Sequence, residues 1–155
     1  MIHTKRLIIY PLSDEEMREV IDRETDEVLK TAYSEMLAGC LRNPKKRIWH
    51  ALWVLKLNDG SGRIVGSLSF KGLDAHGIVE IGYGMDPAYE GKGLMTEAVS
   101  AVVRWASQQP GVSSIEAETE PSNIASQRVL EKAGFVPKGV MGAEGPRYVW
   151  RKESG

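Results

Sequence analysis

The chain has 155 residues, 42% hydrophobic and 26% charged, which fits about one globular domain and is too apolar for a wholly disordered segment. Lys and Arg total 20 against 21 Asp and Glu, a net charge of -1, without the basic excess of a dedicated nucleic-acid binder. The single cysteine, Cys40, excludes an internal disulfide and a cysteine-rich zinc site. Met1 to Arg6 does not read as a secretory signal, and no apolar run approaches the roughly 18 residues of a membrane span, so the expected setting is cytoplasmic and reducing, with no membrane partner.

Leu7 to Tyr10 reads as a short strand ended by Pro11. Ser13 and Glu16 have the spacing of a capping box and predict a helix to about Arg23. A second helix is expected from about Asp26 to Leu41, with Asn43-Pro44 as its stop. Ile48 to Leu57 has strand composition, 58–62 is a turn cluster, and Arg63 to Phe70 is the returning strand of a hairpin. Past the turn at Asp74 to Gly77, Val79, Ile81, Tyr83 and Met85 alternate with Glu80, Gly82 and Gly84 in a third strand, Ile78 to Met85. A helix with an apolar stripe runs from about Leu94 to Gln108, followed by a strand at Ser114 to Thr119. Asn123 or Ser122 caps a short helix through Lys132, stopped at Gly134, and two strands at Phe135 to Met141 and Arg147 to Arg151 flank a loop at Gly142 to Pro146. This order predicts one α/β domain over residues 1–155, with a mixed sheet and helices on both faces.

The chemistry concentrates in Gly82 to Ala98, a strand, a glycine-bearing turn and a helix start. Helix-start amides lack intrahelical partners and favour negative charge, and glycines let the backbone approach an anion closely, so this is the composition of a phosphate cradle. Neither a Walker A loop nor a dinucleotide fingerprint fits: Gly91-Lys92 is followed by Gly93, and Gly82-x-Gly84 meets Pro87 where a third glycine belongs.

Glu90-Gly91-Lys92-Gly93-Leu94-Met95 resembles the acetyl-CoA-binding loop of the GNAT family of N-acetyltransferases, often written Gln/Arg-x-x-Gly-x-Gly/Ala, with Glu90 and Met95 departing from its first and last positions. Asn123-Ile124-Ala125-Ser126 and Glu131-Lys132-Ala133-Gly134-Phe135 are similar to that family's later segment. With Glu80-Ile81-Gly82-Tyr83, they are most similar to the branch that includes ribosomal-protein alanine N-acetyltransferases. The resemblance implies a three-layer fold around a mixed, mostly antiparallel sheet, with acetyl-CoA as co-substrate. It implies that amides around Gly91, Lys92, Gly93, Leu94, Met95 and Thr96, next to Glu90, hold the pyrophosphate. Pantetheine would pair with the backbone at Tyr83 and Met85, and Asn123 and Ser126 would touch the coenzyme arm.

The implied reaction is direct attack of an amine on the thioester in a ternary complex, with an oxyanion-stabilising N–H near Met85. The family's frequent Tyr acid falls on Leu130 here. Ser126 is the first replacement candidate, directly or through water, and Tyr83 the second; Glu80 and Glu144 are the candidate bases, with an ordered water as a further relay. A lysine amine with pKa about 10.4 loses roughly 4 kcal/mol to protonation near neutrality, an α-amine only about 0.5 kcal/mol, which tilts the acceptor toward a protein N-terminal α-amine or a weakly basic small-molecule amine. A non-catalytic acyl-CoA-binding module and an aminoacyl or longer-acyl transferase are the alternative readings. His3, His50 and His76 show no metal spacing, so no metal is expected. Lys45-Lys46-Arg47 reads as a solvated loop, and Trp49 and Trp53 as core or as a wall of the acceptor pocket. Free strand edges leave a homodimer open.

Overall fold

The computed structural model describes residues 1–152. Eight strands form one sheet in the order β1-β2-β3-β4-β5-β6-β8-β7, antiparallel except between β5 and β6. They are β1 (Ile2–His3), β2 (Leu7–Pro11), β3 (Leu52–Leu57), β4 (Ile64–Leu73), β5 (Ile78–Met85), β6 (Ser114–Glu118), β7 (Val136–Met141) and β8 (Pro146–Arg151). The helices are α1 (Asp14–Arg23), α2 (Glu27–Arg42), α3 (Leu94–Ser107) and α4 (Ile124–Lys132). None is long and apolar enough to cross a membrane among the described residues.

Local chemistry sets most boundaries. Ser13 and Glu16 form the reciprocal capping box, and the Asp26 carboxylate caps α2 by accepting from the amides of Val28 and Leu29. Two elements differ from the sequence expectation. Ile48 and Trp49 end a 3-10 turn over residues 44–49 rather than starting β3, which begins at Leu52. Pro44 suits its first turn, the Arg47 carbonyl accepts from His50 and Ala51, and the Arg47 side chain is bound to the Leu12 carbonyl and Asp14, both at 2.8 Å. This pins Arg47 structurally rather than leaving it in a solvated basic run. The short β1 is a pairing of Ile2 and His3 with Ile9 and Ile8, which two residues cannot announce by periodicity.

Alternation along the strands divides the core into two layers. On one face, Trp53, Leu55, Phe70, Val79, Ile81 and Ile115 pack against the α3 stripe of Ala98, Val99, Val102, Val103 and Ala106 and against Leu130 of α4. Trp49 and Trp53 belong here, with centroids 5.0 and 5.8 Å from Phe70, so they are core residues. On the other face, Leu12, Met17, Cys40, Leu52 and Val54 hold α1 and α2 over the β2–β3 half of the sheet.

The β5–β6 half of that second face has a charged cover instead. Arg147 of β8 reaches Glu80 of β5 at 2.7 Å, Glu116 of β6 at 3.0 Å and Glu118 of β6 at 2.7 Å. Lys138 adds a contact to Glu116 at 3.1 Å, and Lys71 one to Glu80 at 2.8 Å. Burial works against ionisation of Glu80, but the hydrogen bonds and charges of Lys71 and Arg147 outweigh it and hold its carboxyl below the ordinary range. Such a group stabilises the fold above its unfolded pKa of about 4.3, and the contribution disappears as pH falls through the lower folded value. Arg147→Met should therefore destabilise the fold at neutral pH by about 2 kcal/mol, less than a fully buried pair because Arg147 keeps part of its surface in water. The gap to wild type should narrow as pH drops below about 4. Thermal unfolding of both proteins from pH 7 to pH 3 checks this; a gap that stays constant with pH removes the ionic explanation.

Candidate active site

The site begins where two strands part. β5 and β6 pair in parallel only at Ile78–Ser114, Val79–Ile115 and Glu80–Glu116. β6 continues along β8, and β5 stays registered with β4 to the Met85–Gly66 pair. Residues 81–85 of β5 are thus left with one free edge. The Asp86 amide donates to the Val65 carbonyl in β4 at 2.8 Å. Counting back in steps of two, the Gly84 amide also faces β4, whereas the amides of Met85 and Tyr83 face the opening. A cleft of about 560 Å³ lies beside this edge, bounded by the 86–93 turn, the start of α3 and the start of α4.

The turn is built to bring backbone to the cleft. The Asp86 carboxylate accepts from the Ala88 amide at 3.0 Å and starts a 3-10 turn, Pro87–Tyr89. Gly91 and Gly93 follow with φ of 76° and 77°, the left-handed region that favours glycine. Gly93 is the N-cap of α3. Side chains cap α1, α2 and α4, but none caps α3. Its first backbone bond runs from the Glu97 amide to the Gly93 carbonyl, so the amides of Leu94, Met95 and Thr96 have no intrahelical acceptor. The Met95 side chain is buried with the α3 core residues, and Met95 also lines the cleft. Glu90 is exposed, and the Lys92 ammonium sits 5.3 Å from the centre of the Tyr89 ring.

A clamp that the sequence reading did not single out fixes this loop from behind. The Glu97 carboxylate in the first turn of α3 accepts from the Thr4 hydroxyl at 2.6 Å, the Arg6 amide at 2.9 Å and Arg6 Nε at 2.8 Å. Arg6 then donates through Nη1 to the Lys92 carbonyl at 2.9 Å. The N-terminal strand region, the glycine turn and α3 are tied at one point. Burial disfavours charge on Glu97, but the Thr4 and Arg6 hydrogen bonds prevail and lower its pKa.

Across the cleft, the Asn123 side chain caps α4 by accepting from the Ser126 amide at 3.0 Å. The Ser126 hydroxyl is 2.9 Å from the Tyr83 hydroxyl, and Tyr83 is also 3.3 Å from the Ser126 carbonyl. Two separately nominated residues therefore form one hydrogen-bonded pair. Burial raises the Tyr83 pKa, with the Ser126 hydrogen bond opposing, so the phenol stays protonated at neutral pH. Leu130 is fully buried and belongs to the core.

Tyr83, Met85, Glu90, Gly91, Gly93 to Thr96, Asn123 and Ser126 all line this cleft; Lys92 stands beside it. Glu80 does not line it: it projects from the opposite sheet face into the Arg147 network. Glu144 is exposed on the 142–145 loop, where its amide donates to Glu118 at 2.7 Å. A second cleft of about 1010 Å³ opens on that opposite face, between α1, α2 and strands β2 to β5. Gly84 and Met85 line both clefts.

The chain has clear relatives. The profile described as "Acetyltransferase (GNAT) domain" matches residues 5–136. Over 60 residues the chain is 52% identical to the Probable N-acetyltransferase YjcK of Bacillus subtilis, a match covering 39% of this chain and 33% of that protein, so the chain spans about a third of this relative. The fold is shared with the ribosomal-protein-S5-alanine acetyltransferase of Vibrio fischeri, at TM-score 0.73 and 18% identity over 95% of this chain and 92% of that one. It is also shared with an aminoglycoside acetyltransferase in complex with coenzyme A, at TM-score 0.64 and 21% identity over 94% and 95%. With the profile spanning most of its length and both glycine-turn and α4 segments inside the match, the chain belongs to the GNAT acetyltransferase family.

Proposed function

We propose that residues 1–155 form one acetyltransferase domain that moves an acetyl group from acetyl-CoA to a primary amine, by direct attack in a ternary complex, in the cytoplasm. The observation that carries this reading is the meeting of two clefts, one on each face of the sheet, at the free edge of β5 by Gly84 and Met85. One cleft suits the donor. The free amides of Leu94, Met95 and Thr96, with the Gly91–Gly93 turn, suit a pyrophosphate. The edge of Tyr83 and Met85 can pair with pantetheine as an added strand. The complex of a fold neighbour with coenzyme A agrees with this choice of donor.

In the reaction the amine nitrogen bonds to the acyl carbon, the carbon–sulfur bond breaks, and the thiolate takes a proton. In this reading the Met85 amide stabilises the oxyanion and Tyr83, supported by Ser126, supplies the proton. Glu80 is a poor acceptor for the amine's proton, because Lys71 and Arg147 stabilise its charged form. Glu144 or water can take that role from the solvent side. This favours an acceptor that is partly neutral on arrival, a protein N-terminal α-amine or a weakly basic small-molecule amine. Glu16, Glu19, Glu24 and Asp86 line the acceptor cleft, with Arg23 as the opposing cation, and suit an acceptor that carries positive charge.

Calorimetry with acetyl-CoA, CoA and ATP is the first test. Acetyl-CoA is expected to bind selectively, and an amine panel should then release CoA. Binding without amine-dependent release supports a regulatory module; preference for longer acyl or aminoacyl donors supports the other transferase reading. Gly93→Val forces a β-branched residue to φ near 77° and should weaken acetyl-CoA binding at least about 10-fold. An unchanged Kd would reject the glycine turn as the cradle.

Tyr83→Phe should lower kcat about 100-fold while acetyl-CoA binding is retained. Ser126→Ala removes a hydrogen bond that favours the phenolate and should raise the Tyr83 pKa further, read by NMR titration of the ring carbon. Full activity in Tyr83→Phe would transfer the acid role elsewhere.

A further inference from the structure

Glycine in a strand interior weakens the strand, so each one invites a physical reason. Gly66 of β4 has one: a Cβ there would sit 2.7 Å from the Gly84 carbonyl oxygen. Gly72 of β4 and Gly139 of β7 have another, their positive φ. Gly84 has neither. It lies in the regular part of β5, opposite Ser67, with no positive φ, and a Cβ built on it meets no heavy atom within 4 Å. At Gly82, two residues earlier on the same face, the nearest atom would be the Ser69 hydroxyl at 3.8 Å. Neither backbone conformation nor packing accounts for these two positions.

Their location does. Tyr83 and Ile81 project toward α3, so a side chain at 82 or 84 would project to the α1–α2 face, where the larger cleft lies. Gly84 also lines the smaller cleft. We infer that Gly84 is the acceptor passage of the enzyme: its missing side chain is what lets an amine held on the α1–α2 face reach an acyl carbon held at the free edge of β5. The inference deepens the acetyltransferase reading and rests on it.

The bare stretch is two alternate residues long, about 7 Å between Gly82 and Gly84. Ser67 and Ser69 of β4 stand opposite these glycines in register and on the same face. Of these, Gly84 and Ser67 line the larger cleft, and the bare backbone of Gly82 extends the side-chain-free strip beyond it, so the opening at Gly84 has room beside it for more than one unbranched carbon chain and the Ser67 hydroxyl on its β4 side. This suits an amine borne on a substituted carbon, the arrangement of a peptide N-terminus, more than it suits a slender alkylamine. Gly84 acts here as a specificity-determining position, through the volume it leaves open.

The test uses the full chain and the variants Gly84→Ala and Gly84→Val. Both fit the backbone, so their thermal midpoints should stay close to wild type, and acetyl-CoA should bind within about twofold of wild type, because the new side chain points away from the donor cleft. Amine-dependent CoA release is measured with two probes, a short peptide bearing a free N-terminus and a linear diamine. The expected result is a graded fall in kcat/KM for the peptide, about 10-fold in Gly84→Ala and about 100-fold in Gly84→Val, with a smaller fall for the diamine. Unchanged kcat/KM for both probes in Gly84→Val overturns the passage. An equal loss with both probes keeps the passage and overturns the branched-acceptor assignment. Weakened acetyl-CoA binding in the variants alone overturns it in favour of a donor-side role. A wild-type chain that neither binds acetyl-CoA nor releases CoA overturns the acetyltransferase reading, and this inference with it.

Discussion

The separation of β5 from β6 after three paired residues is the constraint on which the site depends. A parallel pair left together would cover every amide of β5 and close the sheet. Parting the strands leaves Tyr83 and Met85 with outward backbone groups, and it creates space that α3 and α4 border from one face and α1 and α2 from the other. Unpaired strand edges are ordinarily a liability. Here the edge is short, recessed and flanked by helix starts, which confines what can pair with it. The β4 ladder holds its other side in register to Met85, so the open edge is supported by a closed one.

Two charge clusters keep this geometry. Arg147 reaches carboxylates on β5 and β6 from β8 and binds the strands at the point where they part. Arg6 and Glu97 do the same for the glycine turn. Each cluster joins elements that a single helix or hairpin could not join. The alternation of β5 then sorts chemistry by face: the neutral phenol of Tyr83 looks toward α4, and the ionised carboxylate of Glu80 looks the other way. One strand thus presents a protonated phenol and a charge in separate environments.

Much of this was legible in local sequence. The boundaries of β5, the Ser13 cap and the start of α4 at Asn123 or Ser122 follow from spacing over three to eight residues; the structure keeps β5 and Ser13 and selects Asn123, while the Asp26 cap of α2 was visible only as an approximate helix start. The glycine turn was legible because its composition is unusual over a dozen positions. What the sequence did not show are contacts between distant residues. Arg6 and Glu97 are 91 positions apart, and Arg147 lies 67, 31 and 29 positions from its three glutamates. Nothing in the spacing of any of these marks it. Only the end of the 44–49 turn was read as strand, because Ile48 and Trp49 have strand character, whereas the bonds of Arg47 to Leu12 and Asp14 decide its conformation. Tyr83 and Ser126 were each visible as candidates, but their pairing needed the fold.

The missing cap of α3 has a thermodynamic consequence. The other three α-helices close their own first turns with Ser13, Asp26 and Asn123, so their starts are complete within the chain. α3 lacks that closure, and an anion in the turn would supply it. An occupant would then serve as the last structural residue of the helix, and its concentration would enter the folding equilibrium by mass action. With such an occupant, the supply of that molecule would set how much folded protein exists, as well as how fast it works.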